Sequence, residues 1–348
     1  MKKTFLLLSV VGALLGGCSK EQIVEISPTG NPRANEIYYT TSDGKYLDLE
    51  SRDWYKTSVK SHRRANDSIF ILNFIQDISE IESYAFTDCN SLKSITIPNS
   101  VKEIGKGAFH NCSSLKSFTI PEGVTIINFA TFNSCTSLTN ITIPNSVKEI
   151  EGLAFACCES LTNLTLPEGL TIIGYKCFAD ISIENLTIPQ SVSSFKNNAF
   201  SSFQGTNITI PENLNIKEIP HECFWLCGNL TNITIPKSVE KIEFRAYLGC
   251  ASIEEITIPE KVTEIGWEAF YSCDKLRKVY CKSLVPPSIT PPSHISYKDY
   301  KNPDPLFSNY DFGRLDKDFK IYVPSESVSD YKSAWKDFAR YIEGYNFD

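Results

Sequence analysis

The stretch SLKSITIPNSVKEIGKGAFHNC, residues 91–112, holds one full copy of a pattern that fills the middle of this chain of 348 residues. Within it, Leu92, Ile95 and Ile97 alternate with polar residues, as in a short β-strand that turns one face towards a core. Pro98 has no N–H group, so it ends the strand and favours a bend. The apolar residues that follow predict a second short extended segment and a turn, which together make one coil.

The pattern recurs about every 23 residues, which is the range of solenoid repeats. Each coil of a solenoid buries its apolar side only against its neighbours. We therefore expect a mainly β repeat solenoid whose strands pair in parallel along its axis. The prolines of the pattern are Pro98, Pro121, Pro144, Pro167, Pro189, Pro211, Pro236 and Pro259. Its aromatic residues are Phe86, Phe109, Phe132, Phe155, Phe178, Phe200, Phe224, Tyr247 and Phe270.

Residues 1–17 have the basic start and short apolar stretch of an export signal, which is too short to span a bilayer. Their ending, LLGGC, resembles a bacterial lipobox, which implies cleavage before Cys18 and lipidation of its thiol. Ser19 resembles an outer-membrane sorting signal. Residues 18–35 are polar and Pro/Gly-interrupted, so they predict a tether. We expect an exported protein that is lipid-anchored to the outer membrane, with display at the cell surface left open.

The charge of the chain argues against nucleic acid as a partner. The formal charge is −7, and it becomes −9 once the signal and its two lysines are removed. Binding to phosphates needs clustered Lys and Arg, and the sequence has no basic stripe.

Both ends of the repeat region depart from the pattern, as terminal coils of solenoids do. Residues 36–68 contain two β-prone runs around a turn at Ser42–Gly44 and predict an N-terminal β cap. Residues 69–282 form the solenoid, with a divergent first coil that begins at Ile69. In residues 283–348, the stretch SLVPPSITPPS predicts a linker, and a strand followed by an amphipathic helix predicts a C-terminal cap.

Most of the twelve cysteines occupy apolar columns of the repeat, so we expect a reduced, buried ladder of thiols. Stacked neighbours would lie within disulfide distance, but side-by-side Cβ vectors are poor geometry for a bridge. Pairing of some cysteines stays open. Seven of them follow the aromatic residue of their coil by three positions: Cys89, Cys112, Cys135, Cys158, Cys227, Cys250 and Cys273.

The consensus LxxIxIPxxVxxIGxxAFxxC resembles the BspA-type leucine-rich repeat family of bacterial surface proteins, over roughly residues 69–282. The resemblance implies a right-handed leucine-rich-repeat coil and a role in adhesion or in binding a partner. Ser or Gly stands where leucine-rich repeats usually carry an Asn ladder, so side-chain hydrogen bonding inside each turn must come from other groups.

The outward strand position carries threonine in eight successive coils, which predicts either a well-packed sheet surface or a docking face rich in hydroxyl groups. The flanking residues change from Lys through Asn to Glu along the chain, and such a gradient can orient a protein partner. The candidate binding face comprises Lys93, Thr96, Lys116, Thr119, Asn140, Thr142, Asn163, Thr165, Thr187, Thr209, Thr234 and Thr257.

The sequence has no constellation that indicates catalysis, a cofactor or a metal. Its four histidines are not at ligand spacing from Cys or Glu, and it has no nucleophile elbow or phosphate-binding loop. We therefore expect a binding protein that is not an enzyme, and whose ligand is an unknown protein or, alternatively, a glycan. The candidates for stacking against a glycan are Trp54, Tyr55, Trp225 and Trp267.

Two smaller features complete the candidate sites. Asp67-Ser68-Ile69 resembles an O-glycosylation motif, which makes Ser68 a candidate modification site. Ile126 and Ile172 replace outward-facing Glu residues of other coils and are minor candidates for a contact surface.

Overall fold

The computed structural model, which describes residues 31–291, 306–307 and 318–347, is a solenoid of stacked coils with parallel strands and little helix. The predicted fold class is confirmed. Each regular coil contributes short segments to three sides of the solenoid, and the apolar residues of all three sides point into one continuous core.

The first side is a parallel ladder that carries the outward threonines, and we call it the threonine ladder. Its neighbours pair in register, for example Thr119 with Thr142 and Thr187 with Thr209. Where the strand is shortest, single bridges replace it, from Asn140 to Asn163 and from Asn207 to Asn232. Its strands are β5 (Leu92–Thr96), β7 (Ser117–Thr119), β9 (Asn140–Thr142), β12 (Asn185–Thr187), β14 (Asn207–Thr209), β17 (Glu255–Ile258), β19 (Lys278–Cys281), β21 (Lys320–Pro324) and β22 (Ile342–Tyr345).

The second side is a ladder of very short strands in which an inward Ile or Phe follows an outward, mostly polar residue. The strands are β4 (Glu80–Ile81), β6 (Glu103–Ile104), β8 (Ile126–Ile127), β10 (Glu149–Ile150), β11 (Ile172–Ile173), β13 (Ser194–Phe195), β15 (Glu218–Ile219), β16 (Lys241–Ile242), β18 (Glu264–Gly266) and β20 (Ser288–Thr290). They pair in parallel within three groups, which have the strand orders β4-β6, β8-β10-β11-β13 and β15-β16-β18-β20.

The third side consists of turns, and its backbone also bonds from coil to coil. The N–H groups of Tyr84, Phe86 and Asp88 donate to carbonyl groups of the next coil at 2.8, 2.7 and 2.9 Å. Two residues per turn have left-handed backbone, one before the Ala column and one before the Cys column. Asn and Asp tolerate that conformation best among residues with a side chain, and glycine tolerates it without strain. Gly107 and Asn111 illustrate this choice within one coil.

The aromatic residues of the repeat form one stack through the core. Consecutive rings from Phe86 to Phe270 lie 5.1–5.9 Å apart between centroids and are nearly parallel. The stack is closed at one end by Trp54, whose ring centroid is 5.5 Å from that of Phe86. At the other end Phe307 stacks on Phe270 at 5.4 Å. Burial of a large apolar side chain contributes about 1.5–3 kcal/mol, so this column is a major source of stability.

The N-terminal cap is a small antiparallel sheet with the order β2-β3-β1-β5, built from β1 (Glu36–Thr41), β2 (Val59–Arg64) and β3 (Phe70–Phe74), with a short helix α1 (Asp53–Ser58). The sequence pattern predicts that residues 69–74 begin the first, divergent coil of the solenoid. Instead, β1 lies between β3 and β5 and runs antiparallel to both. The strand β1 thus hydrogen bonds to the edge of β5 that would otherwise be free, and β3 belongs to the cap sheet.

At the other end, residues 283–291 differ from the predicted linker because β20 adds one more strand to the second ladder, parallel to β18. The predicted strand and helix follow as β21, a 3₁₀ turn (Ser325–Ser327) and α2 (Val328–Ala334). A second 3₁₀ segment (Lys336–Tyr341) then leads into β22, which pairs in parallel with β21. Tyr331 and Trp335 fasten the helix by donating hydrogen bonds to the carbonyls of Ser283 and Pro287.

Candidate binding face

The outward side of the threonine ladder is a single row of threonine side chains, which we call the threonine face. Parallel, in-register pairing places each threonine directly beside that of the neighbouring coil wherever the strands pair. Seven of the eight side chains are exposed, and Thr96, beside the cap strand, is half-buried. With strands about 4.8 Å apart, the eight positions span about 34 Å.

The hydroxyl groups of this row are nearly all uncommitted. Within the described part of the chain, only the Thr209 hydroxyl has a side-chain hydrogen bond, which it accepts from Asn207 Nδ2 at 3.0 Å. A row that served the sheet through Thr–Thr hydrogen bonds would show contacts between neighbouring hydroxyls. The donors and acceptors here face solvent, as a docking surface requires.

Charge is distributed along the face less simply than the sequence predicts. Lys93 and Lys116 are exposed at one end, and the exposed Asn140, Asn163 and Asn185 form a neutral stretch beyond them. The expected acidic end is not the last part of the ladder, because Glu255 is followed by Lys278 at 4.0 Å. Lys320 and Glu343 form a further pair in the two strands after that. The face is therefore positively charged at the end with Lys93 and Lys116, whereas the charges at the other end form ion pairs.

A groove of about 730 Å³ opens beside the face near Thr234 and Thr257. It lies where a single bridge at Asn232 interrupts the pairing of longer strands. Its rim carries the ion pair between Lys237 and Glu212, whose charged atoms are 2.9 Å apart. The groove brings two of the predicted face residues together with charged groups that the repeat consensus does not reveal.

The column of outward threonines continues as tyrosine. Thr257 pairs with Tyr280, and Tyr280 pairs with Tyr322 in the next strand. The predicted column ended at Thr257 because the residue type changes from threonine to tyrosine, although Tyr280 follows at the regular step of 23 residues. The spacing breaks only between Tyr280 and Tyr322. The signal that remains visible in the sequence is the matching pattern of KVYC and KIYVP.

The predicted ladder of buried thiols is present, and each thiol also acts as a hydrogen-bond donor. Cys112 Sγ donates to the carbonyl of Phe86 in the preceding coil at 3.1 Å. Five further cysteines make the equivalent bond, at 3.0–3.3 Å: Cys135, Cys158, Cys227, Cys250 and Cys273. Together with serine hydroxyls such as Ser146 Oγ, which donates to the carbonyl of Val124 at 2.8 Å, these groups bond the turns to one another.

The environment of these cysteines disfavours thiol chemistry. Burial raises the pKa of the Cys89 thiol to about 11 and that of Cys135 to about 12, so neither forms the reactive thiolate at neutral pH. All eleven cysteines in the described ranges are free thiols, and Cys157 alone is partly accessible. Within those ranges, no three His, Cys, Asp or Glu side chains are grouped so as to hold a metal ion.

The aromatic residues predicted to stack against a glycan are not brought together. Trp54 is buried against Phe74 and Phe86 as part of the core, so this residue is not available to a ligand. Tyr55 hydrogen bonds to His62 Nδ1 at 3.2 Å inside the cap. Trp225 and Trp267 are half-buried in two different coils.

Other predicted residues fall outside the face. Ser68 is exposed at a hairpin tip, where Asn66 Oδ1 accepts hydrogen bonds from its N–H and from that of Ile69. Its glycosylation stays a prediction, and Cys18 lies outside the described residues. Ile126 and Ile172 line the second ladder beside the exposed rings of Phe129 and Tyr175.

The profile of the BspA type leucine rich repeat region, which spans six copies, matches residues 65–181 and 171–287. The chain belongs to the BspA-type leucine-rich repeat family. Proteins of this family are repeat scaffolds typical of bacterial surfaces. No curated protein matches the sequence.

Several solved structures of bacterial leucine-rich repeat proteins resemble this BspA-type protein. One, from Bacteroides ovatus, is 22% identical, with a TM-score of 0.45 over 79% of this chain and 89% of its own. The T. pallidum leucine-rich repeat protein is 24% identical, with a TM-score of 0.39 over 57% of this chain and 82% of its own. The pneumococcal vaccine antigen PcpA is 17% identical, with a TM-score of 0.41 over 83% of this chain and 87% of its own.

One observation bears on the membrane. Among the helices that the described ranges contain, none is both long enough and apolar enough to cross a bilayer.

Proposed function

We propose that this BspA-type protein is a non-catalytic adhesion or interaction protein that holds a protein partner on its threonine face. The observation that carries the proposal is the row of threonine hydroxyls that face solvent and are nearly all free of side-chain hydrogen bonds. Hydroxyl groups that already hydrogen bond within the protein would add little to the affinity for a partner. Free donors and acceptors can form hydrogen bonds across an interface.

The shape of the face favours a protein over a small molecule. Its length of about 34 Å is comparable to one side of a standard protein–protein interface. At its positive end, Lys93 and Lys116 are exposed and lie in neighbouring strands, joined by a backbone hydrogen bond of 3.1 Å. Such charges steer association and fix the orientation of a partner more than they add affinity. The partner is therefore expected to present acidic residues at this end.

The location of the protein is proposed from its sequence. The LLGGC motif supports lipidation of Cys18 and attachment to the outer membrane, and the family supports the cell surface. Residues 34 and 35 already hydrogen bond to the cap, through Ala34 to Ile78 and Asn35 to Phe74. The last two residues of the predicted tether, Ala34 and Asn35, would thus already belong to the folded cap.

The alternative, capture of a glycan, is not supported at Trp54, Tyr55, Trp225 and Trp267, because these residues are buried or separated. A glycan site on this protein needs other aromatic residues.

Charge reversal tests the proposal. Partners of the ectodomain are first captured from host and bacterial extracts, and the affinity of the captured protein is then measured by surface plasmon resonance. For the double variant Lys93→Glu and Lys116→Glu, we expect an association rate at least tenfold lower at low salt, with the difference shrinking at high salt.

The matched control is Lys332→Glu with Lys336→Glu, which changes the net charge equally on exposed lysines of the C-terminal cap. Equal association rates for the two double variants would contradict binding at the threonine face.

A further inference from the structure

The C-terminal end of the threonine ladder carries a cluster of exposed or half-exposed aromatic rings. Tyr280 and Tyr322 continue the threonine column, and their rings stack with centroids 5.1 Å apart. The ring of Tyr345 meets both of them edge-on at 5.6 Å. We call these three residues the tyrosine platform. Phe347 extends it, with its ring centroid 5.0 Å from that of Tyr345.

The platform is open to solvent and polar at its edge. Tyr345 is 44% exposed, and Tyr280 and Tyr322 are half-buried. None of the three hydroxyl groups hydrogen bonds to another described residue, so each is free to bond a ligand. The buried Tyr331, by contrast, donates its hydroxyl to the carbonyl of Ser283 at 2.9 Å.

One hollow, of about 440 Å³, lies beside the platform and is lined by Tyr345, Asn346 and Phe347 together with charged residues. The second is the groove of about 730 Å³ beside Thr234 and Thr257. Glu260 and Lys282 line both hollows, so the two adjoin beside the ladder, and we call them together the depression. A depression of this extent suits a chain-like ligand better than a single small molecule.

The depression is lined by charges of both signs. Lys237 lies 2.9 Å from Glu212, and Glu255 lies 4.0 Å from Lys278, whereas Glu260, Lys282 and Glu326 form no ion pair within the described ranges. Because both signs are present, the lining does not offer the one-signed field that a strongly charged ligand requires. The carboxylate oxygens and the Asn232 amide can still accept hydrogen bonds from hydroxyl groups.

We propose that this end of the solenoid binds a neutral oligosaccharide. A sugar ring presents C–H groups on its faces, which pack against aromatic rings, and hydroxyl groups at its rim, which need polar partners. Tyrosine offers an apolar body with a polar tip. Because Tyr280 and Tyr322 cover one face of each other, the remaining face of Tyr280, on the side of its strand partner Thr257, would receive a sugar ring. Threonine hydroxyls and carboxylates along the depression would bond the hydroxyls of adjoining sugar units. This site is separate from Lys93 and Lys116, where the proposed protein partner is oriented.

The test measures binding of maltoheptaose, cellohexaose, xylohexaose and mannohexaose to the whole ectodomain by isothermal titration calorimetry. We expect at least one of the four to bind, and we expect Tyr345→Ala and Tyr280→Ala each to raise its Kd at least tenfold. Tyr345→Phe should retain most of the stacking and lose less affinity than Tyr345→Ala. The control is Tyr175→Ala, which removes a tyrosine of similar exposure (43%) from the turn that follows β11.

Tyr345 lies on the surface of the last strand, so its substitution should leave the fold intact, and thermal unfolding of each variant checks this. The proposal is overturned if none of the four oligosaccharides binds, or if the platform variants bind as the control does. Loss of protein capture on the platform variants, without any oligosaccharide binding, would assign the platform to a protein contact instead and would also overturn it. Charge reversal at Lys93 and Lys116 should leave oligosaccharide binding unchanged, so the two proposals can fail separately.

Discussion

Tyr247 takes the place that phenylalanine holds in every other coil of the aromatic stack, and its hydroxyl has no hydrogen-bond partner among the described residues. The ring stacks normally, at 5.1 Å from Phe224 and 5.4 Å from Phe270. Burial raises the pKa of this hydroxyl far above its usual value, so it stays protonated. The residue combines favourable packing of its ring with the cost of an unsatisfied polar atom.

Replacing Tyr247 by Phe should therefore stabilise the protein, by about 1–2 kcal/mol in the free energy of unfolding, because the desolvated hydroxyl is removed. The matched comparison is Tyr331→Phe, which deletes a hydroxyl that donates to the carbonyl of Ser283 and should destabilise by about 1 kcal/mol. Guanidinium unfolding measures both. If Tyr247→Phe lowers the free energy of unfolding as Tyr331→Phe does, the Tyr247 hydroxyl has a hydrogen-bond partner in solution.

At the same scale, the thiol column shows what a sequence can and cannot disclose. Alternation and spacing were enough to predict that Cys112 and Cys135 are buried beside one another. They were not enough to predict that each Sγ bonds a carbonyl of the preceding coil, because Ile181 and Phe203 occupy the same column and cannot donate. Periodicity reports which side of the chain is buried, whereas a hydrogen bond depends on the exact position of a neighbour's backbone.

At the scale of elements, the stability of the N-terminal cap should depend on pH through one histidine, His62. His62 lies on β2 and contacts the Tyr39 and Tyr55 hydroxyls with its two ring nitrogens. Burial lowers the pKa of His62 from 6.5 to about 4. The unfolded chain therefore binds a proton at a higher pH than the folded cap does.

Stability of the cap should fall as the pH drops from about 6.5 to about 4, since protonation then favours the unfolded form. Hydrogen exchange of the amides of β2 and β3 measures this loss directly. His62→Gln keeps a hydrogen-bonding side chain without the titration, so its cap should lose less protection over the same range. An identical pH response in both proteins would show that other groups control the cap.

The cap also marks where sequence reasoning stopped. The first β-prone run of residues 36–68 forms β1, but the second run, after the turn at Ser42–Gly44, forms no strand. The strand β2 lies instead in the polar stretch that follows, where the sequence shows no clear period. The order of the strands in the sheet is not visible in the sequence either. The strand β1 pairs with both β3 and β5, which lie far from it in the sequence. Residue type alone does not predict which strands become neighbours in a sheet. The strand β20 could not be predicted for the same reason. It lies in a proline-rich stretch, and it forms because the chain pairs with β18 of the preceding coil.

For the molecule as a whole, each coil depends on its two neighbours, so stability should propagate along the axis. Phe155 is fully buried at the middle of the aromatic stack, between Phe132 and Phe178. Phe155→Ala should cost about 3–5 kcal/mol and weaken the coupling between the two halves of the solenoid. Urea unfolding should then become broader or show two steps.

The exposed Tyr175 provides the comparison, since its replacement by Ala should change stability by less than about 0.5 kcal/mol and leave a single transition. A single, undiminished transition for Phe155→Ala would mean that the coils are not coupled through the stack.

The N-terminal end of the ladder bears on how molecules of this protein behave beside one another. A sheet that stopped at an open strand would offer a template on which a further copy could pair. Here the outermost strand of the N-terminal sheet is β2, which carries Lys60, Arg63 and Arg64. Two copies that met through this edge would bring these positive charges together, which opposes backbone pairing. Crowded copies of this protein should therefore not join through their N-terminal ends.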